Sequence, residues 1–346
     1  MAKIKNIEFT NFRNFPIFKT TFDRKLNILF GDNGCGKTNI LEGISLNAKG
    51  KGIRNTNIAK LIKKSEDNFL IKNNLEIDKN NFDIEIFTEK KIDKFKKITK
   101  VNDDFSKDSL DFLSKSISFL LFLPEMERLF QASPSYRRNF LDRLIFSSRN
   151  DYNRLINKYK KLSLERAKIL QVNQSEDDWL NRIEKEICSL GFEIYELRNS
   201  QLNNLNSQLR ILKKEYKFQF DIELQIKDDF FNYDIDYEKY LSNLRNSRTQ
   251  DKQYGGIKIG PHRSDIISII NNDFDASILS TGQQKTVVLM ILLAQCNYLV
   301  NEKKIHPILL FDEIGSHLDK YNRKVLLDMI NRFEIQFFLT GTDKNI

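Results

Sequence analysis

The stretch GDNGCGKT, Gly31 to Thr38, carries the spacing G-x-x-x-x-G-K-[ST] in full, and that spacing suits phosphate. Glycines let backbone N–H groups close around phosphate oxygens, and a helix opening near Gly36 would direct its positive end at them. Lys37 is placed for the β- and γ-phosphates of a nucleotide and Thr38 for its magnesium, with Asp32, Asn33, Gly34 and Cys35 completing the loop. Far downstream, HPILLFDEIGSHLD (306–319) supplies two carboxylates after an apolar run. Ile308 to Phe311 reads as a core strand, so Asp312 and Glu313 fall at its carboxyl end, where α/β proteins build their sites. Asp312 suits the magnesium shell. Glu313 suits polarisation of an attacking water in phosphoryl transfer.

A third stretch, LSTGQQK (279–285), places Ser280 as the cap of a helix running from Thr281 towards Val300, with Val287, Val288, Ile291 and Leu292 on its inner face. Serine and exposed N–H groups at a helix start form an anion site. A subunit already cradling phosphates at Gly31 to Thr38 cannot fold this second site onto the same nucleotide, but a second copy can. The turn is therefore expected to close on the γ-phosphate bound by a partner subunit.

These residues need elements to hold them. Residues 1–48 read as strand, strand, phosphate loop and helix, and from about Phe69 to Val101 the apolar period is two, as in an antiparallel meander. SFLLFLP (118–124) is a buried strand stopped by proline. From Glu125 to about Tyr216 the only glycine is Gly191, and apolar residues step at helical spacing. Trp179, Ile183, Ile187, Leu190, Ile194 and Leu197, then Leu202, Leu205, Leu209 and Leu212, predict one helix of roughly 40 residues, about 60 Å long, with a single stutter. Ser175 with Asp178 is its expected cap, and residues 151–170 are its expected antiparallel partner. The reading is an α/β head of two halves, 1–124 and 217–346, with a helical arm, 125–216, inserted between them.

Composition narrows the class. A hydrophobic fraction of 40% and a charged fraction of 30% describe a globular chain. Cys35, Cys188 and Cys296 show no CxxC spacing, so neither a zinc site nor a disulfide framework is expected, and free thiols fit a reducing compartment. No apolar run approaches a membrane span, and the amino terminus lacks a signal-peptide core, so the expectation is a cytoplasmic protein. The formal charge is +9. Basic residues cluster at Lys49, Lys51, Arg54, Lys60, Lys63 and Lys64, again at Lys90, Lys91, Lys94, Lys96, Lys97 and Lys100, and from Arg137 and Arg138 to Lys168. A polyanion partner would explain them, as would a solvated surface.

Taken together, FRNF (12–15), GDNGCGKTNILEGI (31–44), FLPE (122–125), SPSYRRNFLD (133–142), GPHRSD (260–265), STGQQK (280–285), ILLFDEIGSHLD (308–319) and QFFLTGTD (336–343) resemble the ABC-type ATPase heads of the SMC class and, more closely, the bacterial RecF family. The resemblance implies a DNA-dependent ATPase that dimerises around two ATP molecules with Mg2+. It implies binding to DNA at gaps and action with RecO and RecR to load RecA in recombinational repair, in support of replication and the SOS response. By position, Gly31 to Thr38 bind ATP, Thr38 and Asp312 serve the metal, and Glu313 serves hydrolysis. Ser280, Gly282 and Gln283 act in trans, Asp319 is the subunit-communication aspartate, and Arg13 approaches the phosphates. The chain departs from the pattern: Thr281 stands in place of a signature glycine, Thr342 or Asp343 occupies the region of the switch histidine, and no glutamine loop stands near FLPE, so the expectation is slow turnover with ATP acting mainly as a clamp. His306 and His317 read as solvated. His262, beside Arg263, reads either as part of an ion pair holding the arm or as a nucleotide or DNA contact. A transporter-type nucleotide-binding subunit, a protein-binding scaffold and a nuclease are the rival classes.

Overall fold

The computed structural model describes residues 2–48, 52–53, 56–91, 94–172, 177–216, 218–228, 236–313 and 320–341. The chain divides into two compact units, 1–127 with 288–346 and 128–287.

In the first unit, β1 (Ala2–Phe12), β2 (Phe15–Thr21), β4 (Leu70–Ile77), β5 (Asn80–Lys91) and β6 (Lys94–Val101) form an antiparallel sheet in the order β2-β1-β4-β5-β6. Ile4, Ile7, Phe9 and Phe12 of β1 are buried. The three-residue step from Ile4 to Ile7 breaks strict alternation because the register with β4 shifts between Ile4 and Asn6, as a bulge requires. The expected meander is thus β4 to β6. Helix α2 (Lys107–Ser116) packs on β6.

The second sheet of this unit is parallel throughout: β3 (Leu26–Phe30), β12 (Phe337–Gly341), β11 (Ile308–Phe311) and β7 (Phe119–Phe122), in that order. Its two central strands are buried along their whole length, which is why ILLF and FFLTG read as continuous apolar runs. Helix α1 (Lys37–Ser45) follows β3, and α9 (Lys320–Arg332) precedes β12.

The second unit holds α3 (Pro134–Ser148), α4 (Tyr152–Gln171), α5 (Asp177–Tyr216), α6 (Tyr237–Asn246), α7 (Arg248–Tyr254) and the antiparallel sheet β10 (Phe274–Asp275), β9 (Asp265–Ile270), β8 (Ile222–Lys227). The predicted long helix is α5, 40 residues, packed on α4 around Tyr159, Ile183, Ile187, Ile194, Tyr195 and Tyr240. Trp179 is exposed; Leu180, three residues before Ile183, takes the buried place. Ser175 lies outside the described residues.

This unit runs to Val287, past the arm boundary expected at 216. Two interactions explain the extension. Asn206 of α5 exchanges two hydrogen bonds with Leu224 of β8, at 2.9 and 2.8 Å. The GPHRSD loop is held by three arginines of the helices: Arg137 forks onto Asp265 at 2.7 and 2.6 Å, Arg138 donates to Ser264 O, and Arg198 to Pro261 O.

Helix α8 (Thr281–Asn297) carries the boundary between the units. From Val287 through Asn297 every residue is buried, wider than the inner face expected from sequence; a helix apolar on all sides belongs inside a protein. Among the described residues no helix is long and apolar enough to cross a membrane.

Candidate nucleotide site

The parallel sheet sets the site. β3, β12 and β11 are neighbours with Phe30 opposite Gly341 and Leu339 opposite Phe311, so the phosphate loop, Thr340 and Asp312 share one carboxyl-terminal edge. The loop leaves β3 at Gly31 and enters α1 at Gly36, whose φ of 107° is left-handed. A side chain there would be strained, and its Cβ would lie 2.5 Å from the Phe15 ring. Glycine is thus required by both backbone and packing.

Lys37 is buried and donates to the carbonyls of Gly31 and Asp32 at 2.6 and 2.9 Å, curling the loop around its own ammonium. Thr38 Oγ1 donates to Asp312 Oδ1 at 2.9 Å. The sequence halves expected to share a magnesium are thereby joined across 274 positions. Their donors, a hydroxyl and a carboxylate, are hard oxygens that suit Mg2+. Among the described residues no group of three or more His, Cys, Asp or Glu side chains could hold a metal. A magnesium ion here fits only with oxygens from nucleotide phosphates and water, its usual arrangement.

Thr340, which the sequence reading passed over, links the two carboxylate residues. Its Oγ1 donates to Asp312 Oδ1 at 2.7 Å and accepts from Glu313 N at 2.7 Å. Glu313 is exposed and has φ 56°, a conformation rare for a non-glycine residue and concentrated at functional sites. The chain turns sharply there, directly after a buried strand.

The FRNF turn supports the cradle from beneath. Arg13 forks onto the buried Glu42 carboxylate of α1, with both contacts 2.8 Å, and donates to Lys60 O at 3.0 Å. Asn14 donates to Cys35 O at 3.3 Å and accepts from Asn39 at 2.8 Å. Arg13 in this structure anchors the phosphate-loop helix. Asn14, Asn39 and Glu42 lie inside the FRNF and GDNGCGKTNILEGI stretches, but no role was legible for them, because a lone polar side chain does not name its partner; only proximity in space does.

In the second unit, Ser280 and Gln283 form a reciprocal cap: Gln283 N donates to Ser280 Oγ at 3.3 Å and Ser280 N to Gln283 Oε1 at 3.0 Å, the capping-box pattern. Ser280, Thr281, Gly282 and Gln283 are exposed. A Cβ at Gly282 would meet nothing within 4 Å, and its φ is not left-handed. Nothing in its own chain demands that glycine.

His262 corrects an expectation. Nε2 lies 2.8 Å from Ile257 O, an acceptor only, so the ring proton sits there and Nδ1 accepts from Tyr159 OH at 2.9 Å. Burial, with Arg263, Arg138 and Arg198 nearby, lowers its pKa. The ring is a neutral hydrogen-bond bridge, and the ion pairing of this loop falls to Asp265. His306 precedes β11, at the end of the strand opposite the carboxylates, and its pKa is also lowered by burial. Asp319, His317, Thr342 and Asp343 lie outside the described residues.

Known proteins resemble this chain in sequence and fold. The family description RecF/RecN/SMC N terminal domain matches residues 3–127 and 130–346. The DNA replication and repair protein RecF of Rickettsia massiliae is 33% identical over 98% of this chain and 94% of that one. A solved structure of the recombination mediator protein RecF-ATPrS in the RecFOR pathway covers 99% of this chain and 93% of its own, with TM-score 0.87 and 27% identity. The Smc head domain of Pyrococcus furiosus shares the fold, with TM-score 0.54 and 17% identity over 99% of this chain and 90% of that one. With the phosphate loop, the Asp312–Glu313 turn and the capped signature helix carried on an ABC-type ATPase head, and relatives matched end to end, the chain belongs to the RecF family.

Proposed function

We propose that this chain is an ATP-switched DNA-binding protein of recombinational repair, a slow, DNA-dependent ATPase. ATP closes two copies into a dimer that clamps DNA at gaps, and the dimer acts with RecO and RecR to load RecA, in support of replication and the SOS response. The observation that carries the reading is the hydroxyl–carboxylate–hydroxyl chain Thr38–Asp312–Thr340, which brings the phosphate loop and Glu313 to one sheet edge. The RecF relatives, matched over nearly the full chain, supply its biological setting.

Gly31 to Thr38 hold the ATP phosphates by backbone N–H groups, and Lys37 exchanges its loop carbonyls for phosphate oxygens. Thr38 and Asp312 would hold Mg2+, which when bound would neutralise charge on the phosphates. Glu313, carried into solvent by its left-handed backbone, takes a proton from the attacking water. Arg13 acts first on α1 through Glu42; reaching a phosphate requires that it release that carboxylate. Ser280, Gly282 and Gln283 close on the partner's γ-phosphate. The bare surface around Gly282 supports this, because a glycine that its own chain does not require suits a backbone that something else approaches closely. Asp319 serves communication between subunits, and Thr342 or Asp343 stands for the switch histidine. The protein works in the cytoplasm.

Oligomeric state and duplex binding are measured together with ATP, with ADP and without nucleotide. Dimerisation and DNA retention in ATP alone are expected, with affinity falling steeply in salt and varying little with sequence. A chain that stays monomeric in all three states, or that binds DNA equally at low and high salt, overturns the reading.

A further inference from the structure

Two basic clusters that lie apart in the sequence meet at one end of the five-stranded sheet. Lys63 N donates to Asn11 O at 2.8 Å, tying the 60–64 segment to the end of β1 beside the FRNF turn. At that same end Phe69 and Thr88 bond across β4 and β5, at 3.2 and 3.4 Å. The β5–β6 hairpin runs on past this point and carries Lys90, Lys94 and Lys96 beyond the β1–β4 pairing. These three, with Lys60 and Lys64, are exposed, and among the described residues no salt bridge engages them. Elsewhere on the sheet lysines are neutralised: Lys5 by Glu76, Lys19 by Glu8, Lys72 by Glu85.

Lys97 behaves differently. The two-residue period of a strand sets it on the face opposite Lys94 and Lys96, the face that Lys90 shares through its pairing with Phe95, and there Nζ donates to Leu46 O and Ala48 O, both at 2.9 Å. Leu46 closes α1, and α1 has no basic residue in its own last turn. Lys97 therefore supplies, from another strand, the cation that a helix C-terminus favours. The residue is partly buried, and desolvation pushes its ammonium down to about 8. The other end of this nine-residue helix is the phosphate cradle.

We propose that the β5–β6 hairpin is a surface for a nucleic-acid phosphate backbone and that Lys97, as a positioning residue, transmits its occupancy to the nucleotide site through α1. The proposal rests on the DNA-binding reading above. Phosphates seated on Lys94 and Lys96, which share one face of the hairpin, draw on β6. Lys97 belongs to the same strand, and α1 is short and rigid. A displacement of its C-terminal end re-aims the N–H groups at Gly36 to Thr38.

The test uses the full chain, a blunt duplex oligonucleotide and ATP. Replacing Lys94 and Lys96 together by Ala is expected to lower the slope of log affinity against log salt by about 0.9 for each phosphate that these lysines neutralise. Lys97→Met is expected to keep that slope, to weaken ATP binding even without DNA, and to reduce the ratio of DNA-stimulated to DNA-free hydrolysis by about fivefold or more, the usual scale of coupling between sites. Lys97→Arg is expected to recover both, and Lys97→Gln, a neutral donor that is easier to accommodate, to lose the ratio as Met does. A role confined to stability would lower the melting temperature and leave the ratio alone. An unchanged salt slope in the double variant overturns the hairpin, and a wild-type ratio in both Lys97→Met and Lys97→Gln overturns the relay. Wild-type chain that binds no duplex in any nucleotide state instead overturns the functional reading itself, hairpin included.

Discussion

The Thr340 hydroxyl donates to Asp312 and accepts from Glu313 N within a wholly buried residue. Thr340→Val keeps the shape and removes both bonds. It is expected to cost about 1–3 kcal/mol of stability, the usual scale for a stranded buried partner, and to lower the hydrolysis rate while ATP affinity holds. Urea unfolding and single-turnover hydrolysis read the two effects separately. Gly282→Ala poses the opposite question. An alanine there meets nothing in the chain and is the better helix former, by up to about 1 kcal/mol. Melting temperature should therefore hold or rise while ATP-dependent association, followed by light scattering, weakens. Equal association would mean that no partner backbone comes close to that position.

At the scale of elements, α4, α5 and α7 are joined by a fully buried ion network. Arg166 donates to Glu184 at 2.8 Å, to Asp251 at 2.7 Å and to Leu244 O at 2.6 Å. Arg166→Met leaves Glu184 to Arg248 alone and the buried Asp251 with the Ser247 hydroxyl but no cation, and should destabilise the unit by about 3–5 kcal/mol, read as a drop in the urea midpoint. The GPHRSD loop adds a pH dependence. The folded-state pKa of His262 lies below the ordinary 6.5, so between those two values the unfolded chain binds more protons. Its contribution to stability is complete above about pH 6.5 and is lost as pH falls through the folded value. Against wild type, His262→Gln should flatten the fall in unfolding midpoint below pH 6.5; parallel curves would assign the acid sensitivity to other groups, His306 among them. The long helix was readable because its apolar step repeats over 40 residues. The sheet β8–β9–β10 that shares its unit was assigned to the other part, since pairing between strands far apart in the chain leaves no periodic trace.

For the whole molecule, the proposed trans arrangement makes a prediction that no single-site variant can. Ser280→Arg should bind ATP as a monomer through its intact cradle and fail to associate. Lys37→Met should fail for the opposite reason. In a mixed dimer the cradle of the first faces the signature turn of the second, so one composite site is whole. Mixing the two proteins is expected to restore some ATP-dependent association and hydrolysis, measured by analytical ultracentrifugation and phosphate release. Loss of ATP binding by Ser280→Arg alone would place the turn on its own nucleotide and remove the case for a dimer.

The sequence by itself determined the phosphate loop, the Asp312–Glu313 pair, the meander and the long helix, because each is written in local spacing: a loop of small residues, an apolar strand before carboxylates, a period of two, a period near 3.6. Only the tertiary structure decided that Thr340 bridges the carboxylates, that Arg13 holds Glu42, that His262 is neutral, and that Lys97 closes the phosphate-loop helix from a neighbouring strand. Most of these contacts join residues between 27 and 103 positions apart in the chain, each through one polar side chain. A lone hydroxyl or ammonium has no period, and its partner is chosen by how strands order themselves in a sheet.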